Sequence, residues 1–130
     1  MSGTWDANVT LVYATCQGSS FAVDTIRNGE AFDVVASIRV GRNLMQFVDN
    51  YDLFVSVRNL NQSSILSSQH QSHGLAPQDA PLSQLLRVGV DPGWTANEGD
   101  ILEVVATFKV TAGINADYTL AKSAPFIVST

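Results

Sequence analysis

The clearest pattern along the chain is a strict alternation of apolar and polar positions in two ten-residue segments. In residues 31–40, one face carries Phe32, Val34, Ala36, Ile38 and Val40. In residues 101–110, the corresponding face carries Leu102, Val104, Ala106, Phe108 and Val110. Because successive side chains of a β-strand point to opposite sides of the sheet, each segment predicts a strand with one buried face.

Four further segments are rich in β-branched and aromatic residues and predict additional strands: 9–16, 51–58, 85–90 and 118–128. Turn-forming residues such as Asn28-Gly29 and Asp91-Pro92-Gly93 separate the segments. Helical spacing is weak throughout, and residues 41–50 allow one short helical turn at most. The pattern therefore predicts an all-β, antiparallel immunoglobulin-like sandwich of about six to eight strands, forming a single domain over residues 1–130.

The two alternating strands are also similar to each other in sequence. Residues 29–40 read GEAFDVVASIRV and residues 99–110 read GDILEVVATFKV, at a constant offset of 70 positions. Two explanations remain open. The domain contains a duplicated strand unit, with its copies related by a pseudo-twofold axis, or two unrelated strands became similar because they lie in similar environments. A glycine before each strand is expected where the turn needs a positive φ. The start of each segment, Gly-Glu/Asp-x-Phe/Leu-x-Val, resembles strands of immunoglobulin-like and fibronectin-like sandwiches. The single cysteine cannot supply the two-cysteine immunoglobulin signature.

The segment 61–84 departs from the strand pattern. It is rich in Ser and Gln, contains Pro77 and Pro81, and carries one charged residue, Asp79. This composition predicts a long polar loop. His70 and His73 lie within it and, together with Asp79, form a metal-site hypothesis, because imidazole and carboxylate groups are metal ligands. Solvated loop histidines are the competing interpretation.

Charge and cysteine content limit the function further. Seven basic and twelve acidic residues give a formal net charge of −5, and the basic residues are scattered. A clustered positive patch is lacking, so neither nucleic acid nor an anionic membrane surface is expected as a partner. The one cysteine, Cys16, is expected to be a half-buried strand residue. No secretory leader pattern is recognised, which favours the cytoplasm, with a removed signal peptide as the alternative.

Motifs for a nucleophile, a phosphate-binding loop or a dinucleotide site are not recognised, so the chain is expected to be no enzyme and to hold no cofactor or metal. The main hypothesis is a non-catalytic interaction or assembly module that forms a homodimer or larger assembly, with another protein as a further candidate partner. Four apolar residues at outward positions are the predicted interface: Val35, Phe54, Ile101 and Val105.

The alternative hypothesis is a lectin-like, carbohydrate-binding sandwich. Trp94 lies in a turn with Asp91, and Asn97 follows closely. An exposed indole ring can stack on the face of a sugar while neighbouring polar groups bind its hydroxyls. The competing interpretation is that Trp94 folds back and closes one end of the sandwich.

Overall fold

The structure is a computed structural model, and it describes residues 7–130. Within these residues the chain forms nine strands and one short helix. The strands are β1 (Ala7–Cys16), β2 (Thr25–Arg27), β3 (Phe32–Val40), β4 (Asn50–Asn59), β5 (Ser64–Gly74), β6 (Leu82–Val90), β7 (Ile101–Ala112), β8 (Asn115–Lys122) and β9 (Phe126–Ser129). The helix α1 (Arg42–Met45) lies between β3 and β4. No helix in the described part of the chain is long and apolar enough to cross a membrane.

The strands form two sheets of unequal width. The smaller sheet has the antiparallel order β1-β3-β6. In the larger sheet, β5, β4 and β7 are successive antiparallel neighbours. The other side of β7 is shared by β8 and β9, and β2 pairs with β9 in parallel. The all-β immunoglobulin-like sandwich is therefore confirmed, with β2/β9 as a parallel exception.

The core lies between the inner faces of the two sheets. All ten inward residues predicted for the two alternating strands are buried, from Phe32 to Val40 and from Leu102 to Val110. β3 is the middle strand of the smaller sheet and β7 is an interior strand of the larger one. Gly29 and Gly99, the glycines before these strands, have φ values of 79° and 85°. The expected left-handed conformation at both turns is confirmed.

Two predictions for single residues are wrong. Val35 points away from the core as the alternation requires, but it is only 2% exposed. It lies on a central strand between Tyr13 of β1 and Arg87 of β6, whose long side chains flank it on that face. Cys16 is exposed rather than half-buried, because it is the last residue of β1.

The predicted loop over residues 61–84 is also wrong, because most of it is β-strand. β5 pairs with β4 over its length, and β6 begins at Leu82. The turn before β5 contains Ser63 in the left-handed region, with φ 52°, and Asn59 Oδ1 accepts from the backbone N–H groups of Asn61 and Gln62. This turn chemistry closes a β4–β5 hairpin, whose backbone pairing does not require apolar side chains.

Unequal sheet width leaves one side of the sandwich open. On one side, β1 of the smaller sheet packs against β7 and β8. On the other, β5 and β6 barely meet, so the smaller sheet does not cover β5. The inner face of β5 carries Ser67, Gln69, Gln71 and His73, opposite the inward residues of β4. A polar inner face is tolerated there because water still reaches it.

Candidate functional site

The turn that carries Trp94 closes one end of the sandwich. The Trp94 ring packs edge-on against Phe32, with centroids 5.9 Å apart, and Trp94 Nε1 donates to the Glu30 carbonyl at 2.9 Å. Asn28 exchanges two hydrogen bonds with the backbone of Ala96, which joins the turns before β3 and β7. A Cβ at Gly29 would approach the Trp94 carbonyl oxygen to 3.2 Å, so this junction has little spare room.

This geometry does not present Trp94 as an open stacking surface for a sugar. The indole N–H is already bonded and the ring is partly buried against the core. Asp91 and Asn97 are exposed, and the backbone N–H of Asn97 donates to Asp100 within the same turn. The three residues predicted for carbohydrate binding therefore lie on one structural turn without forming a receptive site around the ring.

His70 and His73 do not form a metal site. On a strand, side chains three positions apart lie on opposite faces of the sheet. His70 stacks on Phe54 on the outer face, with centroids 4.4 Å apart, whereas His73 packs against Tyr51 on the inner side. Asp79 pairs instead with Arg42 of α1. Within residues 7–130, no group of three or more His, Cys, Asp or Glu side chains could hold a metal ion.

The Asp79 carboxylate holds the segment before β6 onto α1. Its oxygens accept from Arg42 Nε at 2.6 Å, Arg42 Nη2 at 3.0 Å and Gln46 Nε2 at 2.6 Å. The Arg42 hydrogen bond, followed by that of Gln46, lowers the pKa of Asp79 to about 2. The pair is exposed, so it serves to position the segment more than to stabilise the fold.

The outer face of the larger sheet carries an exposed apolar row. Thr107 of β7 lies at the centre of this row, between Phe54 of β4 and Leu120 of β8. His70 of β5 stacks on Phe54 and extends the row to the edge. Phe54 is 40% exposed and Leu120 is 59% exposed. Asp52 binds His70 Nε2 at 2.9 Å, and this hydrogen bond lowers the pKa of the Asp52 carboxyl.

The four residues predicted as an interface do not share one surface. Phe54, Ile101 and Val105 lie on the outer face of the larger sheet, where Val105 is half-buried. Val35 is buried on the opposite side of the molecule, in the smaller sheet. The alternation assigned each residue to the outside of its strand correctly, but it did not distinguish the outer face of one sheet from that of the other.

The open side of the sandwich contains a cleft of about 540 Å³ between β5 and β6. Tyr51 and Leu86 contribute its apolar floor, and Gln71, His73 and Gln84 contribute polar side chains. Gln71 Nε2 donates to the Arg87 carbonyl at 3.2 Å, bridging the two strands. The volume lies within the range of small-molecule binding sites.

The hydrogen-bonding groups of the cleft are mostly without protein partners. Within the described residues, no hydrogen bond joins the Tyr51 hydroxyl, the His73 ring nitrogens or the Gln84 amide to another protein group. Every fully buried side-chain polar atom in this part of the chain has a partner. Burial raises the pKa of the Tyr51 hydroxyl.

The second feature of this side is the free edge of β5. The strand has no charged residue and no proline over its eleven positions. A bulge at Leu66 interrupts its pairing with β4, and from Ser67 to Gly74 the register is regular. In the described chain no other strand pairs with its outer edge. A long uncharged edge is a template for pairing with another strand.

A buried polar network holds the β4–β5 turn against the start of β7. Asp100 Oδ2 accepts from Asn59 Nδ2 at 2.8 Å, Gln62 Nε2 at 2.9 Å and the Asn97 backbone N–H at 2.9 Å. These hydrogen bonds, that of Asn59 first, lower the pKa of Asp100. Asn59 is fully buried, so the network fixes where β5 begins.

Comparison with known proteins gives partial structural similarities and no match by sequence. No family model matches the sequence, and no curated protein matches it. Part of a candidate β-galactosidase from Bacteroides fragilis is similar in structure, with TM-score 0.49 and 14% identity, over 90% of this chain and 17% of that one. A glycosyl hydrolase family 2 member from Bacteroides cellulosilyticus DSM 14838 gives TM-score 0.48 and 10% identity, over 91% and 15%.

A β-glucuronidase from Parabacteroides merdae gives TM-score 0.40 and 12% identity, over 90% of this chain and 13% of that one. The chain therefore spans less than a fifth of each of these three structures. Similarity at this level says nothing about a ligand or a reaction.

Neither the cleft nor the β5 edge was predicted from sequence. Gln69, Gln71 and His73 belong to a segment that is polar at every position, which hides the period of two. The sequence does contain one signal for β5, which is the turn before it. Asn59, Asn61 and Ser63 follow a strongly alternating strand and favour a hairpin turn, after which a second strand is expected.

Proposed function

We propose that this protein is a non-catalytic assembly module in which two copies join through the free edges of their β5 strands. The pairing is antiparallel and continues the larger sheet from one copy into the other. The observation that carries the proposal is the edge itself, which is regular from Ser67 to Gly74, uncharged and unpaired within the described chain. Exposed backbone donors and acceptors in that arrangement favour strand addition.

The other edges of the sandwich are less suited to this pairing. β1 is bulged at Thr10 and its far end is covered by the bridge between Thr15 and Ala22. β6 carries Arg87 at its middle, and that residue's carbonyl already accepts from Gln71. β8 carries the charged residues Asp117 and Lys122. Edge strands are usually protected by bulges, charged residues or covering segments. β5 has a bulge, but it has neither charged residues nor a covering strand within the described chain.

A second copy of the chain is the partner that the chemistry of β5 favours. A twofold axis perpendicular to the sheet brings residues of the same face together. On the inner face, Gln69 then lies next to polar residues of the second copy, and its amide group can both donate and accept. On the outer face Ser68, His70 and Ser72 meet one another, so the junction requires no opposite charge.

The outer apolar row supports the same arrangement. His70 lies on the edge strand β5, and Phe54, on which it stacks, lies on the neighbouring strand β4. Pairing therefore brings the apolar rows of both copies side by side. Of the four residues predicted as an interface, Phe54 is the one closest to this junction. Ile101 and Val105 lie further across the sheet, and Val35 takes no part.

Sedimentation velocity over a wide micromolar range tests the proposal with a lysine on the edge. We expect the unchanged protein to form a species of twice 14.0 kDa. Ser68→Lys places a lysine on the pairing edge of each copy, which opposes strand addition, and should shift the protein to monomer at the same concentrations. Ser20→Lys makes the same change at an exposed position outside the strands and should leave the dimer intact.

Three results would contradict the proposal. One is a protein that stays monomeric at every concentration. Another is dissociation by Ser20→Lys as strong as that by Ser68→Lys. The third is open-ended growth into large particles, because a twofold contact closes after two copies.

A further inference from the structure

We infer that the cleft between β5 and β6 is a binding site for a neutral, hydroxyl-rich ligand of the size of a mono- or disaccharide. This inference goes beyond the proposed pairing of β5. The cleft lies on the inner side of that strand, whereas the edge groups point away from β4 in the plane of the sheet. A ligand and a second copy therefore occupy different surfaces.

The polar groups of the cleft match the hydroxyl groups of a sugar. Tyr51 offers a hydroxyl, Gln84 an amide and His73 a ring, and each can donate or accept. The side-chain carbonyl of Gln71 is available as an acceptor, since its Nε2 is the atom bonded to Arg87. Because a sugar hydroxyl is itself both donor and acceptor, groups with the same double capacity satisfy it without a net charge.

The charge of the cleft favours a neutral ligand over an anion. Arg87 lines the cleft, but its Nη1 donates to Asp33 at 2.8 Å on the outer face of the smaller sheet. The cleft has no lysine and no carboxylate among its lining residues. Phosphate or carboxylate recognition needs charge-assisted donors, and the Arg87 guanidinium is already paired with Asp33.

The apolar part of the cleft matches the C–H face of a sugar ring. Tyr51 and His73 form a tilted ring pair with centroids 5.2 Å apart, and Leu75 and Leu86 lie beside them. Tyr51 is also held from below by Phe108, at 5.5 Å between centroids. The Tyr51 ring, which is buried, is therefore fixed before a ligand arrives, which reduces the entropy lost on binding.

Titration of ¹⁵N-labelled protein with cellobiose, maltose, lactose and mannobiose tests the inference. The side-chain NH₂ signals of Gln71 and Gln84 report directly on the cleft. We expect at least one of these neutral saccharides to shift both signals in a saturable manner. Gln84→Ala and Tyr51→Phe should each weaken that binding roughly 2- to 10-fold, the range for losing one neutral hydrogen bond.

Gln17→Ala is the matched control, because Gln17 is an exposed glutamine far from the cleft lining, and it should bind as the unchanged protein does. The same affinity should be found for Ser68→Lys, whatever its state of association. The inference is overturned if none of the saccharides shifts the two signals, or if the shifts lie around Trp94. It is also overturned if galacturonic acid binds more tightly than the neutral sugars, or if both cleft variants bind unchanged.

Discussion

β5 and β7 flank the same strand, β4, and pair with it in the same antiparallel sense, yet their inner faces have opposite character. Leu53 of β4 lies between Phe108 of β7 and Gln71 of β5. Phe108 is fully buried, whereas Gln71 is half-buried at the wall of a cleft.

The difference comes from the opposite sheet. The smaller sheet has three strands, and β1 packs over β7, while no strand among residues 7–130 covers β5 in the same way. Backbone pairing with β4 is sufficient to form a strand, but the burial of its side chains requires a second layer. One strand thus contributes to the core and the other contributes a free edge and a cleft.

The largest expected difference is in the free energy of unfolding when either neighbour of Leu53 is truncated. Phe108→Ala should lower the free energy of unfolding by ~3–5 kcal/mol, because it leaves a cavity in the core. Gln71→Ala should stay within about 1 kcal/mol, since its side chain faces solvent on one side. Urea denaturation measures both.

Thr107→Ala, on the outer face of β7, is the control for the register of that strand and should also cost less than about 1 kcal/mol. Equal costs at positions 107 and 108 would mean that the faces of β7 are exchanged, because a slip of one residue inverts a strand. A large cost for Gln71→Ala would mean that β5 is covered after all.

The next effect concerns the network that connects β5 to β7. Asn59→Ala should lower the free energy of unfolding by about 1–3 kcal/mol, because the buried Asp100 carboxylate loses a hydrogen bond and the N–H groups of Asn61 and Gln62 lose their acceptor. Hydrogen exchange should show β5 opening more readily than β7 in this variant. Asn115→Ala changes an exposed asparagine outside the network and serves as the control; matching losses in the two variants would contradict the role of the network.

The same network predicts a dependence of stability on pH. Its hydrogen bonds lower the pKa of Asp100 in the folded state, so the carboxylate stabilises the fold fully above its ordinary pKa, about 3.9. This contribution is lost as the pH falls from there through the lowered value. Asp100→Asn should therefore reduce the slope of unfolding free energy against pH in that acidic window. Parallel curves for the two proteins would show that Asp100 does not contribute in this way.

The smallest effect is expected on the inner face of β5 itself. Gln69→Val replaces a polar inner residue with one of high β propensity, but the opposite sheet offers it little to pack against. We expect the free energy of unfolding to change by no more than about 0.5 kcal/mol. Stabilisation by more than about 1 kcal/mol in urea denaturation would indicate that the smaller sheet reaches over β5.

The sequence predicted strands where apolar and polar residues alternate and where turn residues bound them. β3 and β7 were recognised with the correct buried face, and the glycines before them were assigned the correct conformation. Strand β5 was missed because residues 67–74, which form most of it, carry no apolar side chain, so no periodicity remains to be read. The region 118–128 was read as one strand, but Ser123 and Pro125 separate β8 from β9.

The candidate site was predicted less well than the fold. Trp94 was singled out because tryptophan in a turn can face solvent, and its packing on Phe32 depends on a contact across 62 positions of the chain. The cleft needs Tyr51, Gln71 and Gln84 from three different strands. Proximity of that kind leaves no local signature in a single sequence.

The amino-acid sequence alone determined the all-β character of the protein, the inner faces of its best strands and the left-handed turns before them, because these depend on neighbours close along the chain. Tertiary structure decided which sheet each strand joined and how wide each sheet became. Those two outcomes explain why Val35 is covered, why Phe54 is exposed and why β5 extends beyond the smaller sheet. Side-chain periodicity specifies a face, but only the packing of a second layer determines whether that face meets protein or water.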